Sequence, residues 1–322
     1  MLEATSPQSK ILLAFKRIAL VLIKVFITIA LFYILIRKVD LSAVLLQLRS
    51  MQLIWGLLAL AALLLQLFLA GMRWHLVCQL LNAKLDLRNA IRLVFIGQFF
   101  NQLLPSSVGG DAIRVWMTAG RGMSLGKSIS SIFCDRLVGL LILILLGSIT
   151  ILIIPITWQP EFLATKKLFY PFVLILAVFF CIYFAGNSFS KILLLFKMLK
   201  PIGVLIRDFK IIIFSNFKSL QIVIISFVIQ ILIITVAYLL AKGMNAELSY
   251  SNALVLIPTI MFVSMVPISF AGWGIREGAM VVGLGYANVS AAHALAISLS
   301  FGLAQIVIGL PGGYFWLKRR QI

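Results

Sequence analysis

The sequence predicts an all-α polytopic membrane protein with an inverted-topology repeat. About six full spans and two re-entrant or broken segments form one transmembrane domain over residues 1–322. Three observations predict this. The 322 residues are 62% hydrophobic and 11% charged, with a mean hydropathy of +1.13, more apolar surface than a water-soluble domain can bury. Apolar runs recur near the ~20 residues that a helix needs to cross a bilayer. One broken pattern, P-x-S-x-x-G-x-x-I-R, occurs twice, at residues 105–114 and 267–276.

The elements follow in order. Residues 18–36 form a first span, with Lys24 able to snorkel toward the basic N-terminus. Their length, and the lack of a small-residue cleavage site behind them, argue against a removed signal. Residues 39–51 place Asp40, Gln47 and Arg49 among leucines and read as an interfacial amphipathic helix. Residues 53–71 are the second span, closed by Arg73, Trp74 and His75 as interface anchors. Residues 91–104 are apolar but short, in the range of re-entrant segments. Residues 129–154 span, with Asp135 and Arg136 in the first two turns. Arg136 reads as a snorkelling side chain.

Residues 168–186 form a further span. Residues 191–218 alternate six basic residues with Leu, Ile and Phe, and Pro201 divides them. This stretch reads as a basic amphipathic helix on an anionic leaflet. Residues 220–241 span. Residues 253–270 are apolar and interrupted by Pro258 and Pro267, residues 278–287 are short and Gly-rich, and residues 293–317 form the last span.

The net charge is +19, from 28 Lys and Arg against 9 Asp and Glu. Because the basic residues cluster between apolar runs, the expected partners are membrane lipids and not nucleic acid. With both termini cytoplasmic, 21 Lys and Arg fall inside and 7 outside, as the positive-inside rule requires. Cys78, Cys134 and Cys181 lie in or beside apolar runs with no metal-ligand spacing, so neither a metal nor another cofactor is expected.

The repeat tests this topology. Asn82, Ala83, Leu85, Asn89 and Ala90 match Asn245, Ala246, Leu248, Asn252 and Ala253 at an offset of 163, and Pro105–Arg114 match Pro267–Arg276 at 162. The halves run roughly over 1–155 and 165–322. Three crossings and one dip in each half would set the second half upside down, as in alternating-access transporters.

The broken segments hold the candidate substrate-binding residues: Asn101, Pro105, Ser107, Gly109, Gly110, Asp111, Arg114 and Asp135 in the first half, and Pro267, Ser269, Gly272, Gly274, Arg276 and Glu277 in the second. Gly109 and Gly110 permit a sharp turn. Asp111 is placed to cap a helix running through Ala119, whose N-terminus with Arg114 suits a phosphate or other anion. Gly272, Gly274 and Arg276 repeat this arrangement. A structural reading stays open, in which Asp111–Arg114 and Arg276–Glu277 are caps and ion pairs that hold the turns. No H-E-x-x-H, G-x-S-x-G or Walker pattern is present, and the expectation is a protein that is not an enzyme.

The chain resembles the lysylphosphatidylglycerol synthase transmembrane-region family, also called the flippase-like domain family. The resemblance rests on Arg73-Trp74, on Asn101, Leu104, Pro105, Gly109, Gly110, Asp111 and Arg114, on Asp135, Arg136 and Gly139, and on Pro267 through Gly278. It covers nearly the whole chain, although Phe270-Ala271 stands where a Gly-rich pair is expected. It implies a bacterial or archaeal multi-pass protein of the cell (inner, cytoplasmic) membrane, related to the translocating half of the multiple peptide resistance factor. The sequence ends at Ile322 directly after the last span, so no soluble synthase domain is expected. The implied function is a flippase or transporter for an anionic or aminoacylated phospholipid or a glycolipid. The alternative is a non-transporting partner of an envelope lipid synthase or glycosyltransferase.

Overall fold

Backbone amides inside a bilayer must bond within their own segment, so the apolar runs become helices. The computed structural model describes residues 7–104, 108–120, 122–153, 200–266, 269 and 272–318, and within them all regular structure is helical. The first half comprises α1 (Pro7–Lys38), α2 (Leu41–Arg49), α3 (Leu53–Leu80), α4 (Leu87–Leu103), α5 (Gly109–Ala119) and α6 (Leu125–Ile153). The second comprises α7 (Lys200–Phe214), α8 (Phe217–Gly243), α9 (Tyr250–Ser264), α10 (Ile275–Gly285) and α11 (Ala291–Leu317). Among the described residues, four helices are long and apolar enough to cross a membrane: α3, α6, α8 and α11. The chain is an all-α, multi-pass membrane protein. The expected span at 168–186 and the segment 191–199 lie outside the described residues.

Local chemistry sets the boundaries. Asp86 accepts from the Asn89 amide and starts α4 four residues earlier than hydropathy alone places it. Ser249 accepts from the Asn252 amide at the start of α9. Asn82 and Asn245 follow α3 and α8 with φ of 51° and 52°, the left-handed conformation that Asn tolerates at a helix end. Both turns bond alike: the amides of Asn82 and Ala83 reach the carbonyls of Gln79 and Cys78, and those of Asn245 and Ala246 reach Lys242 and Ala241. Pro258 does not interrupt α9, which runs through it to Ser264. Pro201 falls in the first turn of α7, where a missing amide hydrogen leaves no helical bond unmade.

Helix lengths recur in order. The first half has 28, 17, 11 and 29 residues in α3 to α6, and the second has 27, 15, 11 and 27 in α8 to α11. Contacts recur too. The α3–α8 pair forms the centre, α4 packs on α11 and α9 on α6, and the 11-residue helices α5 and α10 each pack on the helices before and after them. Ala59, Leu63 and Leu67 of α3 and Ile234, Ala237 and Leu240 of α8 are buried. The short helix α2 buries Val44 and rests against α11.

Candidate functional site

The sequence places Arg73 and Trp74 at the end of a span, but α3 continues to Leu80 and both side chains are buried, Trp74 completely. They are not interface anchors. Arg73 Nε donates to Asp135 Oδ1 at 2.8 Å and its Nη1 to Ser226 Oγ at 3.2 Å, so one guanidinium ties α3 to α6 and α8. Gly139 leaves room for it, since a Cβ there would stand 3.2 Å from Arg73 Nη1. Trp74 Nε1 donates to Ser131 Oγ at 3.3 Å.

Arg114 completes the group. Its guanidinium lies over the Trp74 ring, 4.0 Å from the centroid, and its Nη1 donates to Asp111 Oδ1 at 3.0 Å. Asp111 is not the cap of α5. Val108 holds that position, and the Asp111 carboxylate turns to Arg114 and Arg136. The capping role falls partly to Asn101, whose Oδ1 accepts the Gly110 amide at 2.8 Å. Gly110 is required there, because a Cβ would lie 1.9 Å from the Gly97 carbonyl oxygen. The amides of Asp111 and Ala112 are taken up by the Val108 carbonyl. The start of α5 is therefore largely satisfied from within, and anion affinity falls to Arg114.

Arg136 does more than snorkel. Its Nε and Nη2 donate to the two oxygens of Asp111 at 2.8 and 3.0 Å, a bidentate pair. Adjacent helical positions point about 100° apart, so Asp135 and Arg136 serve different partners. The result is one network of three guanidiniums (Arg73, Arg114, Arg136) and two carboxylates (Asp111, Asp135) across α3, α5 and α6. Arg136 is the member with a substantially exposed side chain, at 47%.

The second motif is built differently. Gly274 has φ of 91°, a conformation for which glycine is suited, and its amide donates to Glu277 Oε2 at 2.6 Å. Arg276 Nε and Nη2 both donate to Glu277 Oε1, at 3.1 and 2.7 Å, and Ser298 Oγ donates to the same oxygen. The Arg276 guanidinium lies 4.9 Å from the Trp273 ring centroid, and Gly302 leaves space for its Nη2. The Phe32 ring of α1 is tilted against the Trp273 ring, 6.4 Å between centroids. Ser269 Oγ is buried with no hydrogen-bond partner. Gly272 takes φ of 81° in the turn.

The structure thus joins Asn101, Gly110, Asp111, Arg114 and Asp135, and separately joins Gly274, Arg276 and Glu277. Gly109 opens α5 against the Leu104 side chain. Pro105, Ser107 and Pro267 lie outside the described residues. Arg73, Trp74 and Arg136 belong to the first group although the sequence reads them as anchors and a snorkelling side chain, and Ser298 joins the second with no motif to mark it. The shared Arg-Trp and Asp-Arg pairs were the available signal. Among the described residues no three His, Cys, Asp or Glu side chains gather as metal ligands.

The family described as Lysylphosphatidylglycerol synthase TM region matches residues 21–313. The chain belongs to this family. Every residue of both groups lies within the matched range, and the family's description ties the chain to lipid-related function in a membrane. No curated protein matches the chain.

Proposed function

We propose that the chain is a non-enzymatic lipid transporter that moves a phospholipid or glycolipid with a charged head group across the cell membrane. The five-residue ion network, buried except at Arg136, carries this reading. Ionisable groups within membrane-length helices are costly, and they mark the paths of substrates that are themselves polar. A charged head group leaving water needs such partners.

The recurring helix lengths, asparagine turns and motifs support a two-fold construction. Both termini are cytoplasmic in this reading, because that arrangement puts 21 of the 28 Lys and Arg inside. The segments α4–α5 and α9–α10 then dip into the membrane from opposite faces, and the halves have opposite orientation. The second motif holds its turn through Arg276 and Glu277, while the first presents the charge.

The test is lipid movement by the full chain in proteoliposomes, read with fluorescent phosphatidylglycerol and an impermeant quencher. Arg114→Ala and Arg276→Ala are each expected to slow movement at least tenfold without loss of membrane insertion. Wild-type movement by the double variant overturns the proposal. A wild-type chain that moves no lipid but co-purifies with a lipid synthase or glycosyltransferase assigns the supporting role instead.

A further inference from the structure

We propose that the outward face of α7 docks on an anionic leaflet of the bilayer, and that the bond between Asp208 and Ser130 carries this docking to the charge network. The proposal goes beyond the transport reading and stands without it.

α7 ends at Phe214, and three residues later Phe217 opens α8, one of the helices of membrane length. Phe217 and Leu220 are exposed, so α7 adjoins the end of a lipid-facing span and lies at the bilayer surface. Its inner face is fixed: Phe209 and Ile212 are buried in one cluster with Val77, Cys134, Val138 and Ile222. The basic positions 200, 207 and 210 are seven and three residues apart, which sets them on one stripe of the helix. The Arg207 side chain is 59% exposed. Ile202 and Ile211 are exposed on the same helix. Basic and apolar side chains presented together suit phosphate head groups with acyl chains beneath them. A water-soluble acidic protein would meet the charge and leave the isoleucines uncovered.

The one acidic residue of α7, Asp208, turns inward. Its Oδ2 accepts the buried Ser130 hydroxyl of α6 at 2.6 Å. Its Oδ1 accepts from Arg207 Nη2 at 3.2 Å and Nε at 3.4 Å. Arg207 is thus shared between Asp208 and whatever lies outside. An ion pair with an exposed partner is weak, so anionic head groups compete for this guanidinium. Asp208 then depends on Ser130 alone. Next to Ser130, Ser131 accepts the Trp74 indole, and Asp135 one turn on accepts from Arg73. Adjacent helical positions point about 100° apart, so this turn of α6 holds α7 on one side and α3 on the other. A change in the Asp208 bond therefore reaches the segment that positions Trp74 and Arg73.

The test is amide hydrogen exchange of the full chain in nanodiscs, of phosphatidylcholine alone and of phosphatidylcholine mixed with phosphatidylglycerol. Exchange over residues 204–214 is expected to slow at least about fivefold in the charged discs, the effect of one basic residue at an anionic surface. High salt should remove the difference. Exchange over residues 128–135 should change with it, by at least about twofold. Arg207→Gln combined with Lys210→Gln should abolish both responses. Ser130→Ala should keep the response of α7 and lose that of residues 128–135. Equal exchange of α7 in the two discs overturns the docking, and an unchanged 128–135 segment overturns the link to α6. Both readings come from the wild-type protein, whether or not the variants fold. Undiminished slowing in the double variant overturns the basic stripe as the docking face. An undiminished 128–135 response in Ser130→Ala overturns the Asp208–Ser130 tether. Slowing that follows the number of chains per disc and not the lipid charge gives the face to a second copy and overturns the proposal. No outcome depends on lipid movement, so the transport reading stands or falls separately.

Discussion

The Arg114 guanidinium rests over the Trp74 ring, joining α5 to α3 through a cation and an aromatic face that are both buried. Such contacts contribute about 0.5–2 kcal/mol, the higher value when desolvated. Trp74 also holds Ser131 through its indole nitrogen. Trp74→Leu is therefore expected to lower the thermal unfolding midpoint in detergent, and Trp74→Phe to lower it less, since the ring face remains. Equal midpoints for wild type and Trp74→Leu would remove the stack from the account.

Asp135 is the hinge of the network, between Arg73 and Arg114. Removing one partner of a buried pair costs about 3–5 kcal/mol, because the other charge stays buried. Asp135→Leu should lose stability on this scale in a denaturant titration. Arg73→Met combined with Asp135→Leu should recover part of the loss. Additive losses in the double variant would show that the two side chains are not coupled.

Gly110 sits where α5 crosses α4. A methyl group there would meet the Gly97 carbonyl oxygen at 1.9 Å and Asn101 Oδ1 at 2.7 Å. Backbone cannot yield as a flexible side chain does, so Gly110→Ala is expected to destabilise the protein by at least about 1–3 kcal/mol. It should also increase hydrogen exchange over residues 109–119. Wild-type exchange in that segment would argue against the close crossing.

Asp40 offers a pH test away from the spans. Its carboxylate accepts the Ser42 hydroxyl at 2.5 Å and the amides of Ser42 and Ala43, which together hold its pKa below the ordinary value. A depressed carboxylate contributes stability above its unfolded pKa and loses it as pH falls through the folded value. Exchange protection of α2 should thus be flat near neutrality and decline in acid, below the ordinary aspartate pKa of 3.8. Asp40→Ala should have lower protection near neutrality and lack that decline.

The helices were legible because hydropathy is a property of consecutive residues. The runs at 53–71 and 220–241 became α3, extended at its C-terminal end, and α8, extended at both ends. The repeated Asn-Ala turns could be matched residue by residue, and their φ values agree within a degree. The two motifs likewise mark Arg114 and Arg276, and the structure buries both. What local reasoning missed was partnership. Arg73 at the end of an apolar run has the signature of an anchor, and its partner Asp135 lies 62 residues away. Asp111 has the composition of a cap, yet two guanidiniums compete for its carboxylate and prevail over the α5 amides, which find Asn101 and Val108.

The sequence by itself determined a helical membrane protein, the order of its helices, and the two places where apolar runs break into Gly-rich, charged turns. It could do so because burying apolar side chains and satisfying backbone amides in a bilayer are requirements met within each segment. Only the tertiary structure decided that the two turns differ, with the Arg276 fork closed by its neighbour Glu277 and the Arg114 fork open against Asp135. The choice depends on how α3, α5 and α6 cross, and pairing between buried charges is set by those distances and not by the charges' order along the chain.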